Sequence, residues 1–443
     1  MGEPRTEKAS MAEMLSFAGV QFATSIFMAF SSYYMVMFFT EVALIPPAVA
    51  SPILLFYRVF CALDTQVISI FINRTRFSDG KYRPYYRLCA FPFAIGLAAL
   101  GMAPFVSMSI RLVFIVTALA ICDLAWSTLH MASISMLPYL AQDDVSRTKF
   151  MSFSNGSSIF AFILVGSYML PIAGVLGGND TNKGLALALA LIALICVPLI
   201  YNAYYRLKEH HYSEPRTRPS LKDIFSTIGR DRRIMMFLAG LFIYFIADAF
   251  KNLSTYYYFT FVVRRPDLLS AAIMAGLLSP LAMQAVIPRL LKYAKKESLI
   301  VFGLFAAMCS SLLMLAAGTR PIALIMCIVL YGVFTAIVAN LYFAVQASFS
   351  DDIRARRDIS MSEILAAAMN LCSNIGAGIA SSVAPMALAV LNYLPQADVQ
   401  PASALAGIRA LYILCTAIGM ALAGACMLTF RRFNARVAPK DAG

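Results

Sequence analysis

Residues 58–84 read RVFCALDTQVISIFINRTRFSDGKYRP, and this stretch decides the class of fold. Its first part is apolar and helix-compatible, yet it carries Arg58 and Asp64. Its second part is a short hydrophilic loop with Arg74, Arg76, Asp79, Gly80, Lys81 and Arg83. A charge inside an apolar segment is costly in lipid and faces a polar path or another charged group. A basic loop straight after such a segment marks the cytoplasmic side of a membrane. The pattern predicts a helix that lines a polar path and ends at an internal gate. Arg58, Gly80, Lys81 and, on a later loop, Arg147 are the candidate gate residues.

Similar apolar runs recur on both sides of this stretch. The chain has 443 residues, 60% hydrophobic and 13% charged, where a soluble protein carries roughly 25% charged residues. The runs are about 20 residues long, which is what a helix needs to cross a bilayer. They predict an all-α polytopic membrane protein with spans at about 14–40, 46–72, 86–106, 110–137, 149–176, 185–205, 234–262, 268–290, 298–317, 322–350, 360–391 and 405–430. Strand-period alternation is missing, which argues against a β-barrel. The first apolar run is too long for the core of a cleavable signal and continues as a span.

The net charge of +13 invites a nucleic-acid reading, but its distribution answers otherwise. About 28 of the 36 Lys and Arg fall in the termini and even-numbered loops, and about five in the odd-numbered loops. That asymmetry predicts cytoplasmic termini and no nucleic-acid partner. The nine Cys all sit in apolar segments and form no disulfide or metal pattern. The longest hydrophilic segment, residues 206–233, divides six spans from six. The expected domains are therefore 1–205, a linker at 206–233 with a short helix at 220–229, and 234–443 with a basic tail. Twelve spans in two halves is the major facilitator layout, in which the halves rock about a central cavity.

The motifs resemble those of the glycoside–pentoside–hexuronide:cation symporters, the melibiose permease family of that superfamily. Span 1 has YYMVMFFTEV. Span 2 and its loop have Arg58, Asn73, Thr75, Arg76, Gly80, Lys81 and Pro84 at the family's spacing. The loop after span 4 has Leu137, Pro138, Arg147 and Thr148. Span 7 ends in YYYFTFV, and span 12 opens with GIRALY. The resemblance implies a symporter for a sugar, glycoside or uronide. The chain departs from the family where the second-helix aspartate pair should stand, since Cys61 and Thr65 occupy those positions. By the same resemblance Gln21, His130, Asn155 and Asn374 replace the family's charged sugar-binding residues.

Several residues stand out chemically. Asp123, Trp126, Ser127 and His130 are spaced i, i+3, i+4, i+7 and share one helix face. Trp126 is the only tryptophan, and an indole can stack on a sugar ring. Asp248 and Lys251 on span 7 stand one turn apart, with Tyr244 and Asn252, in a spacing that allows an ion pair. Asn370 and Asn374 offer amides from span 11, whose Glu363 can meet Arg354 or Arg357 at the gate. The expected substrate site thus comprises Gln21, Trp126, His130, Asn155, Tyr244, Asp248, Asn370 and Asn374. The expected coupling site comprises Asp64, Asp123, Ser127, Cys61 and Thr65. One carboxylate beside a thiol is a poor sodium cage, whereas a proton needs a single acceptor.

The leading expectation is a proton-coupled secondary transporter, acting as a monomer in the cytoplasmic membrane on a small polar solute, without cofactor or metal. An uncoupled facilitator and a lysolipid-type transporter of the same fold are the alternatives. A membrane-embedded lipid-modifying enzyme would need a catalytic cluster in a cytoplasmic loop. Asp143-Asp144 and Asp351-Asp352 lack metal-binding partners there.

Overall fold

A computed structural model describes residues 10–437 except 76, 78, 141–143, 179, 210–228, 230, 285, 358–361 and 398. Twelve helices in it are long and apolar enough to cross a membrane. We number them α1 (Met11–Tyr33), α2 (Pro47–Arg74), α3 (Arg83–Met102), α4 (Met108–Leu140), α5 (Asp144–Gly177) and α6 (Thr181–Arg206). The second set is α7 (Arg232–Tyr257), α8 (Asp267–Gln284), α9 (Lys296–Ala317), α10 (Pro321–Arg357) and α11 (Ser362–Val390). The last, α12, runs from Ala402–Arg409 through a wide turn to Thr416–Val437. No strand occurs among the described residues. The twelve expected spans all reappear, with ends shifted by up to about seven residues. The eighth stops early, at Gln284, and a separate turn Ile287–Leu290 follows. Pro288 has no N–H to donate, and its ring would collide with the carbonyl four residues back, which is that of Gln284. The linker helix expected at 220–229 falls, but for Gly229, outside the described residues.

Contacts divide the chain into two compact units, residues 1–45 with 60–216, and residues 46–59 with 217–443. In the first unit α1 packs on α5 and α6, and α3 packs on α4 and α6. In the second α7 packs on α11 and α12, and α9 packs on α10 and α12. Each unit therefore repeats one packing scheme, six helices on. Lipid offers no hydrophobic drive between helices, so close backbones and shared polar groups do the work. Thus Ser25 and Ser158 hydroxyls lie 2.8 Å apart, Ser157 donates to Ala18 O at 2.8 Å, and Tyr34 donates to Gly166 O at 2.6 Å, all between α1 and α5. At Gly96 of α3, a Cβ would come within 2.8 Å of the Cys122 backbone and Cβ on α4. In the second unit Ser51 donates to Ser382 O at 2.7 Å.

Both units also end their first helix alike. Beyond α1 the segment Phe38–Val42 is a π-helix, and beyond α7 so is Tyr258–Val262. Ala43 N donates to Phe38 O and Val263 N to Tyr258 O, at 2.8 and 2.9 Å. Left-handed residues follow, Leu44 at φ 56° and Arg264 at φ 57°. Phe, Thr, Val and Pro recur at 39 and 259, 40 and 260, 42 and 262, and 46 and 266. A constant offset of 220 residues therefore links FFTEV to YFTFV, a repeat that shows in sequence once the backbone aligns it.

Arg111 makes a buried clasp near the start of α4. Its guanidinium donates to Ala43 O, Pro104 O and Val106 O at 3.0–3.1 Å. These carbonyls lie past the ends of α1 and α3, where backbone acceptors have lost their helical partners.

Candidate transport site

In the first unit α2 and α4 bring together Asp64, Thr65, Asp123 and Ser127. Asp64 is 5% exposed, Asp123 1% and Ser127 0%. The Asp64 carboxyl lies within electrostatic range of Asp123 and faces the Ser127 hydroxyl. Thr65 donates to Asp64 Oδ1 at 3.1 Å and to Cys61 O at 2.9 Å. Buried carboxyls at close range are costly unless a proton or cation joins them. The four expected coupling residues Asp64, Thr65, Asp123 and Ser127 therefore meet in one place, and Cys61 contributes its backbone carbonyl.

The shared face expected on α4 is divided. Asp123 and Ser127 turn inward to Asp64, while Trp126 and His130 are only half-buried. Trp126 Nε1 donates to Thr24 O on α1 at 3.0 Å. Its ring stacks on that of His130, with centroids 5.2 Å apart and planes 9° apart. One indole face is thus covered by imidazole, and Phe27 stands 6.4 Å away. On neighbouring helices of the same unit, Gln21 is half-buried and Asn155 is exposed. An exposed amide is costly against hydrocarbon, so Asn155 suits a water-facing position.

The second unit holds Tyr244, Asp248, Lys251 and Asn252 on α7. The Asp248–Lys251 ion pair expected from the spacing does not form within 4 Å. Asp248 instead accepts from Asn252 Nδ2 at 3.0 Å and from the Tyr331 hydroxyl of α10 at 3.4 Å. The Lys251 ammonium sits 3.3 Å from the centroid of the Tyr331 ring. An aromatic face on a neighbouring helix has taken the place of the carboxylate. Asn370 is exposed and Asn374 half-buried on α11.

The gate residues separate. Arg58 is buried in the second unit, near Tyr57 and beside Gly378 of α11, where a Cβ would stand 2.9 Å from that of Arg58. It precedes the end of α2 at Arg74 by about 24 Å of helix at 1.5 Å per residue, so it is no part of the loop. Gly80 and Lys81 are in the loop, and a partner that the sequence left unnoticed holds them. Glu209, just beyond α6, accepts from the backbone N–H groups of Lys81, Tyr82 and Arg83 at 2.9, 2.7 and 2.9 Å. These donors open α3, where a carboxylate is favoured. Gly80 has φ 127°, and a Cβ on it would lie 2.9 Å from Glu209 Oε1. Tyr204 of α6 completes the latch. Its hydroxyl donates to Asp79 at 3.2 Å, its carbonyl accepts from Arg83 Nε, and its ring carries the Arg83 guanidinium at 4.8 Å. The side chains of Arg147, Arg354, Arg357 and Glu363 lie outside the described ones.

A family model described as MFS/sugar transport protein matches residues 16–434. The isoprimeverose transporter of Lactiplantibacillus pentosus is 22% identical over 442 residues, covering 97% of this chain and 92% of its own. An uncharacterized symporter of Bacillus subtilis, YjmB, is 22% identical over 425 residues, covering 94% and 92%. Among solved structures, a D-xylose-proton symporter superposes with a TM-score of 0.68 at 13% identity, covering 95% of this chain and 97% of that one.

Proposed function

Because the chain belongs to the MFS/sugar transport protein family, we propose that this secondary transporter carries a sugar, glycoside or uronide with a proton across the cytoplasmic membrane. It is a multi-pass membrane carrier and not an enzyme. Alternating access by the two six-helix halves, with both termini cytoplasmic, is the mode of transport in this reading. The relatives named a sugar transporter and a symporter support a small solute moving with a cation.

The observation that carries the coupling is the buried meeting of Asp64 with Asp123 and Ser127. Two carboxylates at close range repel, and one bound proton removes that repulsion. Thr65 donates to Cys61 O and Asp64, and a proton needs one acceptor where a hard cation wants a full cage of oxygens. Protonation then favours one arrangement of α2 against α4, and release favours another. In this reading the solute-binding residues are Gln21, Trp126, His130, Asn155, Tyr244, Asp248, Asn370 and Asn374.

The test uses purified protein in proteoliposomes. An inward proton gradient should drive accumulation, and Asp64→Asn should abolish accumulation while sparing downhill exchange. Accumulation driven by sodium at clamped pH would refute proton coupling. Normal accumulation by both Asp64→Asn and Asp123→Asn would remove this pair from the mechanism.

A further inference from the structure

The Lys251 ammonium has three donors and, among the described residues, no hydrogen-bond acceptor. The residue is 6% exposed. Two aromatic faces surround the ammonium, Tyr331 at 3.3 Å and Tyr412 at 5.4 Å from their centroids. Tyr412 lies in the π segment Ala410–Cys415 within α12 and is held by Tyr258 of the earlier π segment, stacked at 4.3 Å and 16°. The box is thus fixed by two wide helical turns, a backbone irregularity that recurs at functional sites.

Ring faces stabilise a cation but accept no strong hydrogen bond from it. A sugar hydroxyl would satisfy a donor and leave the charge uncompensated. In a low-dielectric interior a lone ammonium calls for a counter-charge. The neighbouring Asp248 carboxylate acts on it only at a distance and accepts no hydrogen bond from it. Both Asp248 oxygens are engaged, by Asn252 and by the Tyr331 hydroxyl, and no ion pair with Lys251 lies within 4 Å. Tyr331 therefore holds two charges apart, its ring toward Lys251 and its hydroxyl toward Asp248. Asp248 and Asn252 are less buried than Lys251, so the polar side of the box is the side a solute can approach.

We propose that Lys251, boxed by Tyr331 and Tyr412, receives a carboxylate or sulfonate on the transported solute, which makes this carrier selective for acidic sugars over their neutral counterparts. This rests on the transporter reading above. Asp248 and Asn252 take hydroxyl groups of the same solute, and because Lys251 donates to no acceptor among the described residues, its three N–H groups remain for the solute's anion.

The experiment uses the full chain in detergent and in proteoliposomes, with two matched pairs: D-glucuronate with D-glucose, and D-galacturonate with D-galactose. Thermal stabilisation titrations and counterflow are read for each. A uronate should bind about 30-fold more tightly than its neutral partner, the scale of an intact buried charge pair. Lys251→Gln should erase that preference while keeping a folded, monodisperse protein, and Lys251→Arg should restore part of it. Equal affinity within each pair, with counterflow intact, overturns the anion site and leaves the transporter standing. Stabilisation by chloride alone to the same extent also overturns it, as a site for bulk anions. Absence of binding and counterflow with both uronates, in a folded protein, overturns the acidic-sugar site and leaves the transporter reading to the gradient test above.

Discussion

Replacing Glu209 tests the latch on the loop between α2 and α3. Glu209 Oε1 accepts from Tyr82 and Arg83 N–H, and Oε2 from Lys81 N–H. A hydrogen bond to a charged group contributes about 1.5–3 kcal/mol when buried. These are partly buried, so about 1 kcal/mol each is the fitting scale, and Glu209→Ala should cost about 3 kcal/mol at this site. Glu209→Gln keeps one carbonyl oxygen, which can hold two of the three donors. It loses one bond and the favourable charge at the α3 N-terminus, about 1–2 kcal/mol together. Hydrogen–deuterium exchange at the amides of Lys81, Tyr82 and Arg83 reads the effect directly. At 1.4 kcal/mol per factor of ten, Glu209→Ala should speed exchange about 100-fold, with Glu209→Gln between it and the parent. Unchanged exchange at these amides in Glu209→Ala would refute the latch.

Gly80→Ala should weaken the same loop, because an L side chain is strained at φ 127° and its Cβ would press on Glu209 Oε1. A loss of about 1–3 kcal/mol in thermal unfolding, with faster exchange at residues 81–83, is expected. Arg111→Met should destabilise the first unit by about 3 kcal/mol, since one buried and two partly buried carbonyls lose a charged donor. Its melting temperature in detergent, compared with Arg111→Lys, checks this. Asp231 caps α7 through Arg233 N at 2.9 Å and pairs with the Arg233 guanidinium at 2.9 Å. Burial alone would raise its carboxyl, but the hydrogen bonds and charge of Arg233 prevail and hold it below the usual range. A carboxyl lowered on folding stabilises above its unfolded value near pH 4 and loses that contribution as pH falls through its folded value. Asp231→Ala should cost about 1 kcal/mol at neutral pH. The parent and variant melting curves should converge on acidification below about pH 4.

The twelve helices were legible because hydrocarbon forces a run of apolar residues on every span. The meeting of Asp64 with Asp123 and Ser127 was legible because buried carboxyls in apolar helices are rare and need company. Spacing misled at Asp248 and Lys251, since an i, i+3 separation permits an ion pair but cannot foresee the Tyr331 ring of another helix. The α4 face was drawn as one surface, yet Trp126 and His130 follow α1 while Asp123 and Ser127 follow α2. Glu209 carried no signal in a charged stretch, because its partners stand more than a hundred residues earlier. Arg58 was placed on the apolar helix and Gly80 and Lys81 in the loop after it, because the composition changes between them.

The wide turns at Phe38–Val42 and Tyr258–Val262 act as spacers of phase. Each fits an extra residue into the helix without carrying the chain a further step round the axis. Deleting Thr40 or Thr260 would close the turn to ordinary α geometry. Everything on one side of the deletion would then keep its angular position relative to the other, whereas a residue lost from the regular helix would turn it by about 100°. Gln21 and Thr24 would keep their aim through the first deletion, and Asp248 and Lys251 through the second. A single codon lost elsewhere in either helix would turn its polar stripe away from its partners, and one lost at the wide turn would not. The same spacer, kept at the same position in both halves, ties the aim of the two stripes to one inherited backbone defect.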